Sequence, residues 1–238
     1  MTRRCTLFLP LLGVVLFGFV FLTPKTLSAK NLRNKQVVLI GYSFSLDSKI
    51  RKKLAPYEEL FPDLPRGVKG KDRVYSRLKA MSYEILKLRL EKGLSLFILP
   101  VNVYGRRFDY DDYGFPDTGI EKAQRWGDAK MYLKVHIALV ASPESSLFGS
   151  KPDDLDTELE PDEYLRPQVK VELTFYRSKG VIPYASYSSE MQWQTPLVLE
   201  PTVLDGLVNT MDRTDLRTLR EALDLGMSAI VEKIEGGK

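Results

Sequence analysis

The sequence predicts an α+β fold. It reads as a single mixed sheet of about five strands in the order β-α-β-α-β-β-β-α, with helices mainly on one face. Three observations predict it. Met131, Leu133, Val135, Ile137 and Leu139 alternate with Tyr132, Lys134, His136 and Ala138, the period of a strand with one face in the core. Two later runs repeat that alternation: Val169, Val171, Leu173 and Phe175, then Ala185, Tyr187, Ser189, Met191 and Trp193 after a Ser178-Lys179-Gly180 turn signal. Finally, Val74, Leu78, Met81, Ile85 and Leu88 recur at helical spacing. So do Leu216, Leu219, Leu223, Met227, Ile230 and Ile234, which form a stripe able to cover the sheet.

In chain order, residues 1–29 read as a secretory signal peptide. Arg3 and Arg4 make a basic head, residues 7–22 form the apolar run, and Thr26-Leu27-Ser28-Ala29 supplies small residues suited to cleavage. An uncleaved anchor is the rival reading, but 16 residues fall short of the roughly 20 a spanning helix needs. Cys5 precedes the apolar run, so it does not match the acylated cysteine of a bacterial lipoprotein. The mature part, residues 30–238, then holds no cysteine and must be stable through its core alone, as a single α/β domain. That composition points to an exported protein, periplasmic or outer-envelope associated.

Residues 37–40 are apolar without alternation, as in a strand covered on both faces. The phrase Ser45-Leu46-Asp47-Ser48 can cap a short helical turn that includes Ile50 and Leu54. Pro56, Pro62, Pro65, Gly67 and Gly70 then predict an irregular, proline-rich loop over 55–71. Asp72 is the expected N-cap of the long helix, which Lys92 and Gly93 close. Residues 94–99 form the next strand, limited by Pro100. After a loop rich in tyrosine and aspartate, Thr118 and Glu121 have the spacing of a capping box for a short helix ending near Trp126-Gly127. Seven acids between Asp153 and Glu163, among four prolines, predict an exposed acidic insertion over 142–167. Pairing Phe175 with Ala185, Leu173 with Tyr187 and Val171 with Ser189 keeps both apolar sets of the hairpin on one face. Residues 203–211 suit one helical turn or two.

Several of these phrases carry a resemblance: Val37-Val38-Leu39-Ile40, the helix before Leu94-Ser95-Leu96-Phe97-Ile98-Leu99-Pro100, the Trp126-Gly127-Asp128-Ala129 approach to the central strand, and the closing helix. The layout over residues 36–235 resembles small α/β domains of exported bacterial envelope proteins, the TolB amino-terminal domain and the curli-secretion CsgG group. The long loop and the acidic insertion depart from that pattern. The resemblance implies a non-catalytic domain for assembly or partner binding in the envelope.

The net charge of +4 becomes +1 without Arg3, Arg4 and Lys25, and it hides a dipole. Residues 49–92 carry 13 basic and 6 acidic side chains, residues 109–163 carry 5 basic and 14 acidic. Two readings are open: solvated surfaces that partly neutralise each other, or a basic face that meets an anionic envelope component or an envelope protein. The candidate interaction surface is the basic region Lys49 to Lys79, with Arg51, Lys52, Lys53, Lys69, Lys71 and Arg73 as its contacts, and the loop Tyr104 to Tyr113, through Tyr104, Asp109, Asp111 and Asp112, is a second patch.

No catalytic, cofactor or metal set is expected. His136 is the only histidine and sits on the non-core face of its strand, so a histidine-based triad or zinc site lacks partners. Asp109, Asp111 and Gly114 fit the first, third and sixth positions of a calcium-binding EF-hand loop, but Tyr113 and Ile120 stand where ligands belong. Gly67, Gly70 and Lys71 lack phosphate-loop spacing. The export signal argues against nucleic acid, and membrane contact is expected only through residues 1–29 if they stay attached. A secreted hydrolase of an envelope polymer, using the aspartates of the 109–117 loop, is the second functional reading.

Overall fold

The structure is a computed structural model that describes residues 32–61, 63–142, 166–193 and 219–236. Its strands are β1 (Gln36–Leu46), β2 (Phe97–Ile98), β3 (Met131–Ser142), β4 (Arg166–Arg177) and β5 (Ala185–Gln192). Its helices are α1 (Ser48–Leu54), α2 (Arg73–Leu94), α3 (Ile120–Trp126) and α4 (Leu219–Gly236). The strands form one mixed sheet in the order β2-β1-β3-β4-β5. β1 runs parallel to β2 and β3, and the last three strands are antiparallel neighbours. The predicted α+β class and hairpin register are both observed, with Phe175 opposite Ala185, Leu173 opposite Tyr187 and Val171 opposite Ser189.

One face of the sheet carries the main core. Leu133, Val135, Ile137 and Leu139 of β3 meet Val169, Val171, Leu173 and Phe175 of β4 there, under the apolar sides of α1, α2 and α4. Leu219, Leu223, Met227, Ile230 and Ile234 of α4 are all fully buried, each contributing about 1.5–3 kcal/mol relative to an exposed position. Gly226 lets this helix approach β4, because a Cβ there would lie 2.5 Å from Val169 Cγ1. The opposite face holds a smaller cluster, in which Val38, Ile40 and Tyr132 pack with Phe108 and Ala123 of the segment before β3. Residues 37–40 are therefore covered on both faces, as predicted, whereas Tyr132 is buried rather than facing solvent.

A bulge in β1 explains how one strand serves both clusters. The register against β3 shifts between Leu39 and Gly41. Val37 and Leu39 point to the main core before it, and Tyr42 and Phe44 do so after it. One extra residue thus resets the alternation.

Several sequence expectations need correction. The strand expected over 94–99 pairs only at Phe97 and Ile98, because Leu94 is still in α2 and Ser95 takes a left-handed backbone at the helix end (φ 50°). Gly93 is accordingly not the residue after the helix. It lies inside α2, where a Cβ would stand 2.4 Å from Val231 Cγ1 of α4. Leu88 leaves the expected stripe and is exposed, while Leu86, Leu90 and Leu94 are buried. Residues 55–60 within the predicted irregular loop form a 3-10 helix begun by Pro56. Thr118 does not cap α3. Its Oγ1 accepts from Asp109 N at 2.7 Å, and Gly119 precedes the helix without a side-chain cap. By contrast, Asp47 and Asp72 cap α1 and α2, accepting from Lys49 N and Tyr75 N at 2.7 Å each. Residues 1–29, the helical turn expected over 203–211, Leu216 and all but the ends of the acidic insertion lie outside the described residues. Those ends, Ser142 and Arg166 with Pro167, belong to β3 and β4.

Candidate functional site

The loop over 109–118 is fastened to the free edge of β1 beyond β2. Tyr42 N donates to Pro116 O at 3.0 Å and Thr118 N to Ile40 O at 2.7 Å. Gly114, with φ of 83°, completes a tight turn in which Asp111 N donates to Phe115 O at 2.8 Å. Asp111 then organises the turn from within, its Oδ1 accepting from Tyr113 N and Phe115 N at 2.9 Å each. Its Oδ2 pairs with the ammonium of Lys79, which projects from α2.

Lys79 is the centre of this arrangement. Its side chain is only 3% exposed, and its Nζ lies 5.3–5.8 Å from the ring centroids of Tyr42, Tyr75, Tyr113 and Phe115. A buried ammonium needs both a counter-charge and ring faces or donors around it, and among the described residues the Asp111 carboxylate supplies the charge. The surrounding phenols are held neutral. Burial pushes Tyr42 well above the usual phenol range, against the lowering effect of its 2.6 Å hydrogen bond with Ser82 Oγ. Burial also pushes Tyr83 up to about 12 and raises Tyr75, whose hydroxyl donates to Phe44 O at 2.7 Å.

This latch brings the two predicted patches together. Lys69 N and Gly70 N donate to Asp112 O at 2.8 and 2.9 Å. Tyr113 packs on Tyr75 with ring centroids 4.8 Å apart, and the Arg51 guanidinium lies 5.6 Å from the Tyr75 ring centroid. Gly70 is so close to the Tyr113 ring that a Cβ there would come within 2.3 Å. The stack of Arg51, Tyr75, Tyr113 and Gly70 therefore sets the stretch 51–53 beside 69–73. Arg51 pairs with Asp72 at 3.6 Å and Arg73 with Asp63 at 2.8 Å. Among the described residues, Lys52, Lys53, Lys69 and Lys71 make no ion pair.

Two members of the predicted surface point elsewhere. Asp109 pairs with Lys122 of α3 at 2.5 Å. Tyr104 stacks on Phe108 and donates to Asp128 Oδ1 at 2.6 Å, a bond that holds the Asp128 carboxyl below the usual carboxylate range. Tyr104 and Asp128 belong to a cleft of about 930 Å³ at the amino ends of β1 and β3, whose walls include Lys35, Phe97, Arg177 and Tyr184. There the Arg177 guanidinium lies 3.8 Å from the Tyr184 ring centroid. His136 stands on the open sheet face, its Nδ1 2.8 Å from Ser43 Oγ. Among the described residues, no three acidic, histidine or cysteine side chains gather as a metal site would require.

Sequence reasoning placed Lys79 at the end of the basic surface, whereas the structure buries it against Asp111 and the rings. Its signal is the spacing Tyr75, Lys79, Tyr83, which places a cation between two aromatics on one helical row. No comparable signal marks the cleft, whose walls come from four separate segments.

No family model matches the sequence, including any for the TolB and CsgG groups, and no curated protein matches it. Among solved structures, the chain is similar to a neuraminyllactose-binding hemagglutinin homolog from Helicobacter pylori, at 9% identity and a TM-score of 0.40 over 84% of this chain and 85% of that one. It is also similar to a hypothetical protein from Chlamydia trachomatis, at 11% identity and a TM-score of 0.36 over 84% and 94%. A third likeness is to the PelC dodecamer from Paraburkholderia phytofirmans, at 9% identity and a TM-score of 0.34 over 90% and 93%. None of the helices among the described residues is long and apolar enough to cross a membrane.

Proposed function

We propose that this chain is an exported, non-catalytic binding or assembly domain of a bacterial cell envelope, whose basic face holds an anionic envelope component. The observation that carries the reading is the preassembled basic face. The Arg51–Tyr75–Tyr113–Gly70 stack fixes two lysine-bearing stretches side by side, and four of their lysines make no ion pair among the described residues. A rigid cluster of this kind attracts an anion without first ordering its own chain. Export rests on the basic head, apolar run and small-residue site of residues 1–29.

The loop aspartates fit this reading better than hydrolysis. Asp111 has both oxygens engaged in holding the turn and Lys79, and Asp109 is paired with Lys122. Reversing the exposed Lys52, Lys69 and Lys71 to glutamate tests the proposal through envelope association measured against salt. Association of the native chain should weaken as the Debye length shrinks below about 8 Å, and the reversed variant should associate poorly at every ionic strength. Equal association by both proteins throughout would refute the role of this face.

A further inference from the structure

Five of the seven large apolar side chains exposed among the described residues sit at one pole: Phe97, Val103, Trp126, Val181 and Ile182. Each lines the cleft at the amino ends of β1 and β3 or stands within three residues of one that does. Phe97 lines it, Val103 precedes Tyr104, Trp126 stands two residues before Asp128, and Val181 and Ile182 lie in the turn that leads to Tyr184. Ile182 is 82% exposed at the tip of that turn. The turn and α3 are tied together, because Gln124 Nε2 donates to Arg177 O at 2.9 Å and to Gly180 O at 2.8 Å. Trp126 and Ile182 are thus presented by one braced unit.

The rim is basic as well as apolar. Lys35, Lys130 and Arg177 line the cleft, and Arg107, Arg125 and Lys179 adjoin it. The carboxylate that lines it, Asp128, is engaged by the Tyr104 hydroxyl. Protein interfaces deplete lysine at their apolar centres. Aliphatic tips beside a tryptophan and ringed by lysine and arginine instead match the layered chemistry of an anionic bilayer surface, with acyl chains below and phosphates above. The path of the chain agrees. It enters the fold along the cleft wall at 34–36, and the nine residues between the apolar run 7–22 and Leu32 span at most about 30 Å. While that run is in a bilayer, this pole lies within reach of the same surface.

We infer that the amino pole is a peripheral contact for anionic lipid, with Val181 and Ile182 entering the acyl boundary and the surrounding cations meeting headgroup phosphates. It lies apart from the Arg51–Arg73 face and does not depend on it. The chain has two tryptophans, so Trp193→Phe leaves Trp126 as the sole reporter. The full chain brings its own apolar run to any vesicle, so the readout is the position of Trp126 rather than association. In vesicles of phosphatidylethanolamine and phosphatidylglycerol, Trp126 emission should shift to the blue and be quenched by brominated acyl chains. Ile182→Asp, at a side chain that the fold leaves exposed, should weaken that quenching about tenfold or more. Lys179→Glu should weaken it through charge alone. Absent quenching, or quenching equal in phosphatidylcholine vesicles and untouched by both variants, overturns the inference. An emission shift that follows protein concentration without lipid also overturns it, by assigning the patch to a second copy of the chain.

Discussion

Asp111→Asn isolates the Lys79 charge while leaving the turn intact. The asparagine oxygen can still accept from Tyr113 N and Phe115 N, so the loop keeps its backbone contacts. What disappears is the counter-charge to an ammonium that is 3% exposed, supplied by a carboxylate that is itself 21% exposed. Breaking a buried pair from one side costs about 3 kcal/mol, which for a chain of this size lowers Tm by about 6–12 °C. Lys79→Met removes the charge instead and keeps an unbranched chain among the rings. Its cost is about 1 kcal/mol, because Asp111 retains two backbone donors and some water. The double variant should then be close to Lys79→Met alone, giving a coupling energy of about 3 kcal/mol. Urea titration followed by circular dichroism measures all four proteins, and the coupling should change little with added salt because the pair is shielded. A cost below about 0.5 kcal/mol for Asp111→Asn, or strict additivity of the two changes, would show that Lys79 is solvated and that the latch reasoning is wrong.

Two further outcomes follow from the packing. Gly226→Ala should destabilise the chain by about 1–3 kcal/mol despite alanine's better helix propensity, since the new methyl meets Val169 atoms at 2.5 and 2.8 Å; the urea midpoint checks it. Raised phenol pKa values predict alkaline loss of stability: below about pH 10 folded and unfolded chains both keep the tyrosine protons, and above it only the fold does. Stability should therefore fall as pH rises, by about 1.4 kcal/mol per pH unit for buried Tyr42. Tyr42→Phe should flatten that slope in urea midpoints measured between about pH 9 and 12.

What the sequence disclosed was what period and local chemistry encode. The alternation of β3, β4 and β5, the hairpin register, a cap within the phrase 45–48 and the Asp72 cap are local or depend on one shared face, and all are observed. The errors arose where a distant partner decides. Leu94 looks like the start of a strand, yet it is the buried last residue of α2 in the main core. Gly93 looks like a helix terminator until Val231 occupies the space a Cβ would need. Thr118 has the spacing of a cap, but it bonds Asp109 because the loop is drawn to the edge of β1. The site followed the same division. Residue types on the basic face were legible, yet their juxtaposition depends on Lys79, and the apolar pole is assembled from segments far apart in the chain.

The bulged first strand also bears on how the molecule is made. Val38 finds its partner in β3 only when Tyr132 has been synthesised, and until Phe97 and Ile98 have been made a nascent chain carries the run Val-Val-Leu-Ile without any strand partner. Such long-range closure slows folding, and the unsatisfied segment is a natural docking point for a holding chaperone.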